Sequence, residues 1–162
     1  MLDLIIGGFT EAHRQPVTNL MILLQETERT ISSDRRVGTS MAAGHIDYLL
    51  NLVQAQDGAF LTAVRNNQVI GFLVVVISSE DPGDEHLKQA YRRYGEITDM
   101  IVEPDHRGQG IARRLLDQAI LHVRGRNLSR IKVTALEGNQ AAAALYRSTG
   151  FKPSERTFVL DV

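Results

Sequence analysis

An α/β domain of mixed α+β type, single and built around one sheet, is expected from this sequence on three grounds. The chain has 162 residues, which at about 150 residues per domain argues for one domain spanning residues 1–162. Apolar residues recur at helical spacing early in the chain and at strand spacing in its middle. The resulting order is a helix-rich start, a hairpin, then β-α-β-α-β, which is a layered arrangement around a single sheet. At 43% hydrophobic and 23% charged residues, the composition is that of a soluble globular chain and excludes wholesale disorder.

Leu2 to Phe9 reads as a first strand. Pro16 suits the first turn of a helix, and Val17, Leu20, Met21, Leu24, Glu28 and Ile31 share one face, with Glu28 alone breaking the apolar stripe. Ser32-Ser33-Asp34 ends that helix. A second helix is expected over Gly44 to Gln56, where Ile46, Leu49, Leu50 and Val53 follow helical spacing. Ala59 to Arg65 and Gln68 to Ile77 read as a hairpin, joined by Asn66-Asn67, a pair that tolerates positive φ. Ser78 to Tyr94 is polar, holds the turn signal Asp81-Pro82-Gly83, and reads as a loop with one helical turn around His86 to Tyr94. Glu96 to Val102 is a strand closed by Pro104, and Gly108 to Arg124 an amphipathic helix. Ile131 to Leu136 is a further strand. Asn139 to Thr149 is an Ala-rich helix stopped by Gly150, and Phe158 to Val162 a terminal strand.

Several function classes fall away. Eighteen basic against nineteen acidic residues give a net charge of -1, which is no footprint for nucleic acid or a membrane surface. With no cysteine, thiolate nucleophiles, disulfides and Cys-bound metal centres are excluded. The five histidines show no metal-ligand spacing, so no metal is expected. Met1-Leu2-Asp3-Leu4 lacks a basic leader region. The longest apolar run, Val69 to Ile77, falls far short of the ~20 residues that cross a bilayer. A cytoplasmic protein is the expectation.

Chemistry concentrates in two segments. In Val102-Glu103-Pro104-Asp105-His106-Arg107-Gly108-Gln109-Gly110-Ile111-Ala112-Arg113 a strand ends, a glycine-rich turn follows and a helix begins at once. A helix start leaves up to about four N–H groups unpaired and carries roughly +0.5 charge. Gly108, Gly110 and Ala112 keep side chains out of a ligand's way, and Arg107, Arg113 and Arg114 add positive charge. Such a site holds a phosphate or pyrophosphate. The P-loop's Gly-Lys-Ser/Thr is missing, and Arg113 occupies the third glycine position of a dinucleotide fingerprint. The second segment reads Asn139-Gln140-Ala141-Ala142-Ala143-Ala144-Leu145-Tyr146-Arg147-Ser148-Thr149-Gly150-Phe151.

Arg-Gly-Gln-Gly-Ile-Ala followed by Asn-x-x-Ala-x-x-Leu-Tyr-x-x-x-Gly-Phe resembles the GNAT superfamily of acetyl-CoA-dependent N-acetyltransferases, most closely from Gly95 to Lys152. The resemblance implies a central, mostly antiparallel twisted sheet of six to seven strands, helices on both faces, and splayed central strands. It implies that backbone N–H groups within Arg107, Gly108, Gln109, Gly110, Ile111 and Ala112 bind the pyrophosphate of coenzyme A, with Arg113 beside them. Ile101 and Val102 correspond to the strand that pairs with the pantetheine arm. Asn139 corresponds to a cofactor-bonding position, and Tyr146 to the one whose hydroxyl reaches the sulfur. A homodimer through the C-terminal strands is a further implication.

The chemistry of the reaction asks for a base. An amine with a pKa near 10.4 is protonated at neutral pH and must lose a proton before it attacks. Glu96 matches the family's catalytic glutamate and Asp99 is the runner-up. Three residues apart, they face opposite sides of a regular strand unless a bulge re-aims one. The leaving thiolate needs a proton, for which Tyr146 is placed. The acidic tract Glu80, Asp81, Asp84 and Glu85 is expected to border the acceptor side and favour a cationic amine. The reading is therefore an N-acetyltransferase acting on a small-molecule, peptide or protein amine. A non-catalytic acyl-CoA sensor of the same fold and a transferase of longer acyl groups stand as alternatives.

Overall fold

The computed structural model describes residues 4–162. The expected leader-free start at Met1-Leu2-Asp3, and the first residues of the expected first strand, lie outside the described residues. The elements are β1 (Ile5–Gly8), α1 (Arg14–Arg29), α2 (Gly38–Ala55), β2 (Ala59–Arg65), β3 (Gln68–Ser79), β4 (Arg93–Val102), α3 (Ile111–Arg124), β5 (Ile131–Val133) and α4 (Gln140–Ser148). The strands form one sheet in the order β1-β2-β3-β4-β5. Neighbours are antiparallel up to β4, and β4 pairs β5 in parallel.

Two apolar layers hold the sheet between helices. On one face Val17, Leu20 and Met21 of α1 and Ala42, Ile46 and Leu49 of α2 pack on Phe60, Phe72, Val74, Val76 and Ile101. On the other, Ile111, Leu115, Leu116, Ala119 and Val123 of α3 pack on Leu73, Val75, Ile97 and Val102. Gly95 lets α3 lie this close to β4, because a Cβ there would run into Val123. No described helix is long and apolar enough to cross a membrane.

The hairpin follows the sequence expectation: Asn66 and Asn67 take φ of 52° and 60°. Besides the strand expected over Ile131 to Leu136, which ends at Val133, three expectations need correction. First, α2 begins at Gly38, not Gly44, because the Glu26 carboxylate of α1 accepts a hydrogen bond from the Gly38 N–H at 2.7 Å. A cap supplied by another helix carries the weak helix formers Gly38, Thr39 and Ser40 into the first turn. Second, the Ser78 to Tyr94 loop is shorter, since Ser79 still pairs Arg93. Its one helical turn is a 3-10 turn at Gln89–Tyr91. Third, residues 151–162 form no regular element, and the described sheet has five strands, not six or seven. Phe158, Val159 and Leu160 are 83–85% exposed. Apolar, strand-prone residues form a strand only where a neighbouring ladder accepts them.

Two irregularities create the site. Val74 pairs Asp99 and Val75 pairs Ile97, so Thr98 is an extra residue, a β-bulge in β4. Beyond it, β4 and β5 part, for their pairing covers only Gly95, Glu96 and Ile97 against Ile131, Lys132 and Val133.

Candidate active site

A cleft of about 550 Å³ opens where the strands diverge, between Thr98 to Val102 of β4 and Thr134 to Leu136 after β5. Among the described residues no strand pairs with this side of β4 beyond Ile97, so the edge offers its backbone to an extended ligand. The mouth of the cleft is the start of α3. Gly108 and Gly110 take φ of 73° and 76°, the left-handed region that favours glycine. Gly110 is the residue preceding the helix. Among the described residues, the backbone N–H groups of 108–113 have no acceptor. Unpaired N–H groups at a helix start are the backbone arrangement that favours an anion.

The loop is tied from both sides. Arg107 Nε donates to the Val102 carbonyl at 3.0 Å. Arg65 donates to Gln109 Oε1 at 2.6 Å. Every residue expected at the cofactor borders the cleft except Gln109, whose side chain faces Arg65. Arg107 and Arg113 border it, whereas Arg114 donates to the Leu4 carbonyl at 2.9 Å.

Across the cleft stands α4. Asn139 Oδ1 accepts the Ala142 N–H at 3.1 Å, an N-cap that fixes the start of this short helix. Asn139→Ala is expected to cost about 1 kcal/mol of stability, read as a drop in Tm of about 2–4 °C. Tyr146 borders the cleft and packs its ring against Phe151, centroids 5.7 Å apart. Burial, and then the negative charge of Glu28, push its phenol up to about 12.

The carboxylates of β4 separate in position. Because of the bulge, Glu96 lies opposite Val76 and Asp99 opposite Val74. Val74 and Val76 share the α1/α2 layer, so both acids face that layer instead of opposite sides. Glu96 accepts a hydrogen bond from Ser78 at 2.5 Å and borders neither large cavity. Asp99 borders both the cleft and a second cavity of about 770 Å³ between α1 and α2. It lies 3.2 Å from His45 Nε2, with 13% of its side chain exposed. The hydrogen bond to Asp99 raises the His45 pKa against the opposing effect of burial.

Glu28 also borders both cavities, and burial raises its pKa above the usual carboxylate value. A raised carboxyl pKa means the folded state binds the extra proton, so the ionised form at neutral pH opposes folding. Glu28→Gln is therefore expected to raise Tm at pH 7. The gain should vanish near pH 4, where the carboxyl is protonated in the folded chain; differential scanning calorimetry at the two pH values checks it.

Glu28 and His45 have no place among the site residues expected from the sequence, yet both line the cavities. For Glu28 the signal was present, as the one break in an apolar stripe; for His45 none was, since its partner lies 54 residues away. The acidic tract takes no part in either cavity. Glu80 pairs Lys132 at 3.2 Å, Asp81 accepts from the Gly83 N–H, and Asp84 pairs His86.

Comparison with known proteins places the chain in a family and a fold. The family model described as "Acetyltransferase (GNAT) family" matches residues 24–151. An IAA acetyltransferase of Azospirillum brasilense is 30% identical over 144 residues, 88% of this chain and 83% of its own. A mycothiol acetyltransferase of Thermobispora bispora is 32% identical over 92 residues, 57% of this chain; that stretch is 29% of the relative's own length. Among solved structures, an aminoglycoside 6'-N-acetyltransferase from Acinetobacter haemolyticus superposes with a TM-score of 0.71 at 22% identity, covering 98% of this chain and 97% of that one. The aminoglycoside N-acetyltransferase AAC(6')-Iy, solved with CoA, gives 0.74 at 14% identity, covering 100% and 96%.

Proposed function

The chain belongs to the acetyltransferase (GNAT) family, whose acyl donor is acetyl-CoA, and from that premise we propose that it moves an acetyl group to a primary amine by direct attack in a ternary complex. The observation that carries the proposal is the junction of the two cavities. A cleft headed by open N–H groups meets a second cavity at Glu28 and Asp99, so donor and acceptor approach one point from different sides.

The residues present fit the donor. The N–H groups of 108–113 and the side chains of Arg107 and Arg113 suit a pyrophosphate. The free edge at Ile101 and Val102 suits an extended pantetheine arm. When bound, the donor supplies a thioester carbon open to attack. The chain's own groups orient it, exclude water behind the buried Ile101 and Val102, and manage protons. Of the two β4 acids, we assign acceptance of the amine proton to Asp99, because it alone reaches the junction. Tyr146 serves the sulfur side. A solved protein of the same fold is named for a small-molecule acceptor, an aminoglycoside, and the second cavity, about 770 Å³, is the space we assign to the acceptor here. The exposed side chains of Phe158, Val159 and Leu160 are what a second copy would cover in a homodimer, and we place the enzyme in the cytoplasm.

Thiol release from acetyl-CoA in the presence of a panel of amines is the direct test. Acetyl-CoA binding without release for any amine would sink the transferase reading in favour of a sensor. Competition between acetyl-CoA and longer thioesters fixes the length of the acyl group.

A further inference from the structure

Resting on the acetyl-transfer reading, we infer that His45, hydrogen-bonded to Asp99 where the two cavities meet, carries the acceptor amine's proton from the reacting end of the site to solvent. The bulge at Thr98 turns Asp99 toward α2. Asp99 is nearly buried and borders both cavities; His45 is 30% exposed and borders only the outer one. The pair therefore spans from the junction outward. Its outer member is held in place, since the imidazole stacks on Tyr48 one turn along α2, centroids 5.7 Å apart and planes 22° from parallel. Ile46 and Leu49, both fully buried, anchor that turn of α2.

The proton balance calls for such a route. An ammonium acceptor and a thioester become an amide, a thiol and one free proton. One N–H bond breaks before attack, leaving its electron pair on nitrogen to form the bond to the acetyl carbon. The carbon–sulfur bond then breaks, and its electron pair leaves with sulfur. Of the two protons nitrogen loses, one ends on sulfur and the other must leave the site. The Asp99–His45 pair takes up that second proton as a unit, and the exposed imidazole passes it to water.

The groups facing His45 set the direction of its response to pH. Asp99 of β4 and Glu28 of α1 both favour the protonated ring. Asp34, Arg35 and Arg36 from the α1–α2 connection, and Tyr48 of α2, line the same cavity, and Arg35 lies 3.5 Å from Glu28 and 3.6 Å from Asp34. The pair works in the form lacking the extra proton. The rate thus rises with pH through a value above the ordinary imidazole pKa of about 6.5.

His45→Gln keeps a hydrogen-bonding side chain but cannot titrate. We expect kcat/KM at pH 7 to fall about 100-fold. The rising limb should move up toward the amine's own pKa of about 10, so that activity recovers at high pH, with coenzyme A affinity and Tm unchanged. His45→Asn, less able to reach Asp99, should show the same displaced limb. In the wild-type chain, the His45 ring protons followed by NMR should titrate above 6.5, and lower in Asp99→Asn. A His45→Gln profile with the wild-type limb, or one depressed equally at every pH, would overturn the relay and leave acetyl transfer standing. A wild-type chain that binds coenzyme A and acetylates no amine would overturn both.

Discussion

Gly110→Val weakens coenzyme A binding by at least about tenfold in titration calorimetry, while Gly150→Val leaves it unchanged. Both glycines have left-handed backbones, with φ of 76° and 97°, and neither Cβ would meet any atom within 4 Å. The cost of a side chain is therefore conformational in both, about 1–2 kcal/mol for an L-residue held there. Both variants should lose that much stability. They differ in where the backbone can relax. Gly150 follows α4 and does not itself border the cleft, so relaxation there leaves the open N–H groups at the start of α3 in place. Relaxing at Gly110 swings the N–H groups of 110 and 111 away from the cleft mouth. Hydrogen bonds to a charged group contribute roughly 1.5–3 kcal/mol each, and losing one already accounts for a tenfold weakening. Equal coenzyme A affinities in the two variants would show that the head of α3 does not hold the diphosphate.

The contrast between these glycines was open to inspection in the sequence, and that is general for this chain. What depends on a few consecutive residues was legible: the Asn66-Asn67 turn, the stop at Gly150, and the bare loop at Gly108 and Gly110. What depends on two segments meeting was not. The bulge at Thr98 is a mismatch of register between β3 and β4, and neither strand shows it alone. It nevertheless decides that Glu96 and Asp99 share a face, and that Asp99 reaches His45. Likewise the start of α2 depends on Glu26 of α1. The terminal run Phe158 to Val162 has the composition of a strand, but composition cannot say whether an edge is there to receive it. Glu28 lies between these cases. Its misfit on the apolar face of α1 was visible, and its meaning was not until β4 stood opposite.

Tyr146→Phe lowers kcat by about 10- to 150-fold and spares coenzyme A affinity and Tm. The aromatic ring remains, so its packing on Phe151 is kept. The hydroxyl makes no hydrogen bond among the described residues, so folding loses nothing when it goes. Its pKa near 12 constrains what it does for the sulfur. A thiol has a pKa of about 8.5, well below that of the phenol, so complete transfer of the phenolic proton to a thiolate runs uphill. The hydroxyl is thus better suited to donate a hydrogen bond to the departing sulfur, which collects its proton afterwards. One charge-assisted hydrogen bond, roughly 1.5–3 kcal/mol, sets the expected loss in rate. The same high pKa keeps the donor proton in place through ordinary alkaline conditions. The kcat profile should therefore show no falling limb from Tyr146 below about pH 11. A falling limb near pH 9 that disappears in Tyr146→Phe would mean that the phenol titrates far below its resting value during turnover, making it a true acid. A variant with full kcat would remove Tyr146 from the chemistry and leave it a packing residue of α4.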